Sequence, residues 1–237
     1  MNEIRHLGVV VPARNEEQTI SACLSSVQEA ISLVRQVNPG ISCQIVVVLD
    51  CCTDDTAARA TGHGAEVIVS SAGRVGCARH AGALAVLQRG RRAGVPADAV
   101  WLANTDADSV VPDCWLATQL QIAATGAELV IGTVTPAALT PALDRLWRNA
   151  HELIEGHPHI HGANLGIRGS TYLAAGGFAP LSVDEDHDIV DKVQRKTDRW
   201  VATHRASVTT SGRTQSRVDG GFATFIRCLD AEDSSCA

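Results

Sequence analysis

This chain has almost no lysine, no C-x-x-C pair and no long apolar run, and each lack narrows what it can be. Of its 20 basic residues only Lys192 and Lys196 are lysine, and against 26 acidic residues the net charge is −6. No basic stripe offsets that charge, which argues against a nucleic-acid partner. Apolar runs such as 45–49 fall far short of the roughly 20 residues of a membrane span, so no integral membrane segment is expected. A strand pattern is reached by residue 7, so no signal peptide is expected. The location expected is the cytoplasm, either free or peripheral at the inner membrane surface. Of the eight cysteines, Cys23, Cys43, Cys77, Cys114 and Cys228 stand singly among apolar residues, as buried thiols do. Without a C-x-x-C pair no structural zinc is expected, and a reducing compartment follows. The adjacent Cys51-Cys52 reads as two small packed residues, the alternatives being an oxidised pair or an adventitious metal site.

What is present is an ordinary globular composition: 237 residues, 45% apolar, mean hydropathy +0.05. That length supports one large domain with a sheet-based core, expected over 1–230 with a mobile tail at 231–237. Apolar runs at 7–11, 44–49, 65–70 and 99–104 predict strands. Between them, an acidic start at Asn15-Glu16-Glu17 leads a helix carrying Ile20, Cys23, Leu24, Val27, Ile31 and Val34 at helical spacing. Thr53-Asp54-Asp55 caps a short helix ending near Gly62, and 76–89 forms a third. Four βα alternations predict a doubly wound, mostly parallel sheet with helices on both faces. The second half is less regular. Strands are expected at 128–133, 200–202 and 208–210, helices at 140–155, 170–176, 184–197 and 220–229, and an extended segment at 162–168.

The most informative stretch is Ala-Val-Trp-Leu-Ala-Asn-Thr-Asp-Ala-Asp at 99–108, where a buried strand gives way to carboxylates at Asp106 and Asp108. Ligands of open α/β sheets lie beyond the carboxyl ends of the strands. Two hard oxygen ligands there suit Mn²⁺ or Mg²⁺, which bind through one or two carboxylates plus substrate phosphates. The plainer reading is a turn that caps the helix following Val110-Val111-Pro112-Asp113.

The order of motifs resembles the GT-A fold nucleotide-diphospho-sugar transferases of the family 2 type. The matching pieces are Val11-Pro12-Ala13-Arg14-Asn15-Glu16; Val46-Val47-Val48-Leu49-Asp50 with Thr53-Asp54-Asp55-Thr56; and Gly73-Arg74-Val75-Gly76-Cys77-Ala78-Arg79-His80-Ala81-Gly82. Asp106-Ala107-Asp108, Gly162-Ala163-Asn164-Leu165 with Gly176-Gly177-Phe178, and Glu185-Asp186 complete the set. The resemblance implies a glycosyltransferase acting on a nucleotide-diphosphate sugar with a divalent metal, Mn²⁺ or Mg²⁺. It also implies a nucleotide-sugar half at 1–110 and an acceptor half at 111–230. Where the family commonly has Gly-Ser after the strand-two acid, this chain has Cys51-Cys52, and Leu49 replaces the first of two acids; Asp50 keeps the base-binding position.

On this resemblance Pro12, Ala13, Asn15, Glu16, Asp50, Arg74, Arg79, Asp106 and Arg213 are nucleotide-sugar-binding candidates. Asp50 accepts a bond from a uracil N3–H, and Arg79 reaches diphosphate or base as a bidentate cation. The alternatives are a turn cap for Asp50 and a solvated helix face for Arg79. Asp108 and Asp106 are the metal candidates, with His204 as a further imidazole. Asp184, Glu185, Asp186 and Asp188 crowd one helix start, where the dipole favours acids. Their mutual repulsion is expected to raise one pKa, and the resemblance assigns the general base to Asp186, with Glu185 orienting it or the acceptor. Inversion by single displacement follows. His157, His159 and His161 alternate and would share a face, while Pro158 and nearby glycines favour a polar loop. Arg213 and Arg217 belong to a loop expected to close over the site, or to an ordinary surface loop. Two other functions compete. A nucleotidyltransferase would need a glycine-rich segment and an early lysine, but no lysine precedes Lys192. A non-catalytic nucleotide-sugar-binding domain would not need both carboxylate pairs. The acceptor, whether a small molecule, a lipid or a glycan, is not specified by these motifs.

Overall fold

The computed structural model describes residues 2–151 and 153–213. The helix expected at 220–229, Arg217, Cys228 and the tail lie outside the described residues. The first half alternates as expected: β1 (His6–Ala13), α1 (Ile20–Val37), β2 (Ser42–Asp50), α2 (Thr56–Gly62), β3 (Glu66–Ser70), α3 (Val75–Arg92), β4 (Val100–Asn104). There follow α4 (Trp115–Ala124), β5 (Leu129–Ala137), α5 (Pro141–Ala150), β6 (Leu165–Arg168), α6 (Gly169–Ala174), α7 (Glu185–Gln194) and β7 (Trp200–Ser211). The strands form one sheet in the order β3-β2-β1-β4-β6-β5-β7. Only β6 runs antiparallel to its neighbours β4 and β5; the other pairs are parallel. The sheet is thus mixed but mostly parallel, as expected.

Alternation along each strand builds two cores. Val9 and Val11 of β1, Val47 and Leu49 of β2, and Trp101 of β4 face α1 and α4. Val10, Val46, Val48, Val100 and Leu102 face α3 and α7. Strands buried on both sides read as continuous apolar runs because neither face meets water. No described helix is long and apolar enough to cross a membrane.

Four local expectations are corrected. Helix α1 starts at Ile20 with no acid in its first turn; Asn15, Glu16 and Glu17 belong to the loop after β1, where Glu16 is needed elsewhere. Helix α4 starts at Trp115 without a side-chain cap, so Asp106 and Asp108 do not cap it. The strands expected at 200–202 and 208–210 are one strand, β7, whose register against β5 shifts between Gly132 and Val134; that irregularity interrupts the alternating pattern. The helix expected at 140–155 covers only Pro141–Ala150, opened by the Thr140 hydroxyl accepting from the Leu143 N–H at 3.3 Å.

Candidate functional site

The carboxyl ends of β1, β2 and β4 open onto a cleft of about 640 Å³, closed on its far side by residues 158–163, the start of α7 and the end of β7. This is the edge where open α/β sheets place their ligands. Pro12, Ala13, Glu16, Asp50, Arg79, Asp106, Asp108, Glu185, Asp186 and Arg213 all line it. Asp50 ends β2 nearly buried, and its Oδ1 accepts from the Ser70 hydroxyl at 2.9 Å and the Gly73 N–H at 3.0 Å. Both bonds use one oxygen and hold the carboxylate still at the cleft wall.

Asn15 and Arg74 are not among the lining residues. Asn15 sits at φ +55°, and its Oδ1 accepts the Thr53 N–H at 2.8 Å. It joins the loops after β1 and β2. Cys52 does the same, donating to the Ala13 carbonyl and receiving the Asn15 N–H, each at 3.3 Å. The cysteine pair therefore includes a packed loop tie, and Cys51 and Cys52 are both free thiols. Arg74 is exposed at the start of α3.

Arg79 is 2% exposed and bridges two elements: Nη2 donates to Asp106 Oδ1 at 2.6 Å and Nε to Glu185 Oε1 at 2.9 Å. It is neither a solvated helix-face residue nor simply aimed at a ligand. Gly76 makes the bridge possible. A Cβ there would lie 2.0 Å from the Ala179 carbonyl oxygen, and its N–H donates to the Leu181 carbonyl at 3.0 Å. The segment leading into α7 thus presses against the first turn of α3, which carries Glu185 to Arg79. Gly162 also approaches closely, a Cβ there falling 2.5 Å from Arg79 Nη2.

The acid cluster is sorted by its surroundings. Asp184 adopts a left-handed φ of +61° to start α7. Glu185 is buried on Arg79, and burial raises its pKa despite that partner, with Asp186 adding to the rise. Repulsion was expected to be the cause; desolvation is the larger one. Asp186 Oδ2 accepts the Gly162 N–H at 2.7 Å and Oδ1 the His187 N–H at 2.9 Å. Asp188 pairs with Lys192 one turn on at 2.6 Å and does not line the cleft.

At the other wall Arg213 pairs with Glu16 at 3.0 Å and Asp108 at 3.1 Å. Burial foremost, then the Asp106 charge, push the Asp108 carboxyl up to about 6, although Arg213 opposes the shift. His204 is not brought to this place. It stands exposed on β7, its Nδ1 3.0 Å from Glu155 Oε1, and is absent from the cleft lining. Among the described residues no group of three or more His, Cys, Asp or Glu side chains is arranged to hold a metal alone. Asp106 and Asp108 are two hard oxygen donors on the cleft wall, each with one oxygen on an arginine and one outside that pair, and this fits a cation completing its shell with phosphate and water.

Sequence reasoning missed several lining residues: Arg14, His151, Ile160, Val183 and His187. His187 follows Asp186 directly and could have been found from it, whereas His151 carries no local signal. Asn164, in a matching motif, is structural: its Oδ1 accepts the Trp115 indole N–H and its Nδ2 donates to the Thr133 and Ala206 carbonyls, all at 2.8 Å.

Comparison with known proteins agrees with this geometry. The chain matches Glycosyl transferase family 2 over residues 8–179. No curated protein matches it by sequence. Among solved structures it is similar to TarS of S. aureus at 14% identity and TM-score 0.60, covering 96% of this chain and 42% of that one. The mannosyltransferase PcManGT of Pyrobaculum calidifontis, in complex with GDP-Man and Mn²⁺, is 18% identical with TM-score 0.63, covering 98% and 69%. Glucosyl-3-phosphoglycerate synthase of Mycobacterium tuberculosis, in complex with Mn²⁺, UDP-Glc and phosphoglyceric acid, is 21% identical with TM-score 0.56, covering 98% and 79%. These identities establish a shared fold, and this chain spans less than half of TarS. With a family match that spans most of the chain and includes Asp50 and the Asp106/Asp108 pair, and with the fold of known glycosyltransferases, the chain belongs to glycosyl transferase family 2 and is a glycosyltransferase domain of the GT-A fold.

Proposed function

We propose that the cleft transfers a sugar from a nucleotide-diphosphate donor to an acceptor hydroxyl with inversion at the anomeric carbon. The observation that carries this is the Arg79 bridge, which sets Asp106 beside Glu185 and so joins the donor-side acids to the acceptor-side acids in one cleft. Residues 1–110 form the donor half and 111–230 the acceptor half. Asp50 receives the base N–H on its cleft side. Arg213, a planar cation already held at the acidic wall, is suited to pair bidentately with diphosphate. Asp106 and Asp108 would hold Mn²⁺ or Mg²⁺, whose charge, when bound, stabilises the leaving diphosphate.

Asp186 takes the proton of the acceptor hydroxyl as that oxygen attacks the anomeric carbon and the nucleoside diphosphate departs from the opposite face. Its two N–H partners orient the carboxylate, and each oxygen keeps a lone pair for the proton. Glu185, fixed on Arg79, positions the start of α7. The six free thiols among the described residues are compatible with a cytoplasmic location, free or at the inner membrane surface. The test is nucleoside diphosphate release from UDP- and GDP-sugars with Mn²⁺, comparing wild type with Asp186→Asn. A lost general base lowers kcat by about 10²–10⁴ with unchanged donor Kd. Near-normal kcat in the variant overturns the assignment.

A further inference from the structure

The reaction proposed above leaves one lining feature unused. Four imidazoles and an indole gather where α5 ends and the chain returns toward β6. Trp147 and His151 stack with centroids 3.4 Å apart and planes 13° apart. His151 lies 4.5 Å from His159 at 30° and 6.1 Å from His161 at 29°. His157 and His159 are 5.9 Å apart at 14°, and His159 and His161 are 6.4 Å apart at 21°. The alternating histidines thus share a face, on a loop rather than a strand. Their rings are layered instead of converging on one point, consistent with the absence of a metal-holding group among the described residues. His151, His159 and His161 line the cleft together with Pro158 and Ile160. The array is also tied to the proposed base, because Gly162, next after His161, donates its N–H to Asp186.

We propose that this imidazole array is the acceptor subsite and that it takes an uncharged carbohydrate, one sugar ring lying on the His159 and His161 rings with a hydroxyl at Asp186. The inference rests on the assignment of Asp186 as the acceptor-side base. Imidazoles present a flat, weakly polar body with polar nitrogens at the edge, which matches a sugar's C–H face bordered by hydroxyls. Two of its members, His151 and His161, are held neutral. Burial first, then neighbouring histidines, take His151 down to about 4 and His161 down to about 3. Adjacent imidazolium ions in this stack would repel. Among the described residues the wall beside the array is acidic. Asp184, Glu185 and Asp186 line it, Arg79 is committed to two carboxylates, and the other arginines of the cleft, Arg213 at Glu16 and Asp108 and Arg14 after β1, stand on the donor side. A phosphate or carboxylate on the acceptor's reacting end would therefore meet like charge.

The test uses the wild-type chain with ¹³C-labelled histidine, saturated with UDP and Mg²⁺, titrated with methyl glucosides and methyl mannosides, and separately with glucose 6-phosphate. The expected result is a saturable shift of the His159 and His161 signals with at least one methyl glycoside. Affinity for glucose 6-phosphate should be at least about tenfold weaker, the cost of bringing an anion to an acidic wall. His159→Ala should lose about fivefold in glycoside affinity, the size of one stacked contact, and His159→Phe should regain it. Histidine signals that respond to no methyl glycoside, tighter binding of glucose 6-phosphate, or an unchanged His159→Ala overturns the proposal. UDP affinity measured by calorimetry in the same samples reports separately on the donor site. If UDP does not bind, the donor reading falls, and the glycoside titration without UDP still decides the subsite.

Discussion

Asp108 shows how burial and like charge act together on one residue. Its carboxyl is raised to about 6, chiefly by desolvation and then by Asp106, against about 3.9 in an unfolded chain. A folded state that binds the proton more tightly than the unfolded one loses stability as pH rises from the lower value to the higher. The wild type should therefore lose about 1–3 kcal/mol relative to Asp108→Asn between pH 4 and pH 6, with little further change above that window. Urea denaturation of both proteins at pH 4, 5, 6 and 7 reads this directly, and parallel curves would refute it. Asp50 makes a second prediction at this scale. Asp50→Ala should weaken UDP binding by about 1–3 kcal/mol, the cost of a buried polar partner left unpaired. Ser70→Ala removes a neighbour of the same oxygen and should cost less. Calorimetric affinities that match in Asp50→Ala and wild type would make Asp50 only a brace for the Gly73 turn.

Among elements, α3 organises the site more than the loops do. Its first turn meets the segment before α7 through Gly76, and one turn on Arg79 reaches Asp106 after β4 and Glu185 on α7. Removing one partner of a buried ion pair strands the others, at about 3–5 kcal/mol. Arg79→Met should destabilise the protein by that amount in denaturant titration, with Arg79→Lys losing less because it retains one charge. A loss below about 1 kcal/mol, the range of exposed pairs, would mean that the triad is not the joint described here. Much at this scale was legible beforehand: the four βα alternations, the Gly176-Gly177 stop at φ +82° and +74°, and the acidic start of α7. The single β7 strand and the late start of α1 were not. A register shift breaks the two-residue alternation, and acids in a loop resemble acids in a first turn.

For the molecule as a whole, folding and ligand binding are separable. Asp106 and Asp108 each have an arginine partner in the fold, so the chain does not depend on a metal to neutralise its acidic wall. Chelation should leave the Tm of the ligand-free protein unchanged. UDP with Mn²⁺ should raise it, by about 2.7 kcal/mol of stabilisation at one hundred times Kd, and chelation should reverse that gain. Differential scanning fluorimetry decides the matter. Unfolding on chelation alone would assign the metal a structural role.

By itself the sequence determined what depends on near neighbours. Apolar runs state which strands are buried on both faces, and the change from apolar residues to aspartate at the end of β2 and just past β4 marks the sheet edge where a polar ligand can sit. Motif order was enough to identify the family. What only the tertiary structure decided is which distant side chains meet. Nothing local indicates that Glu16 and Arg213 are partners across 197 positions, that Arg74 and Asn15 stay out of the cleft while Arg14 lines it, or that His204 is taken by Glu155. Nor is the reversal of β6 between β4 and β5 written in its four residues, since a short buried strand has the same pattern in either direction. Periodicity reports burial, which neighbours in the chain share. Contact across the cleft depends on strand order, register and the close approaches at Gly76 and Gly162, and these exist only once the sheet is assembled.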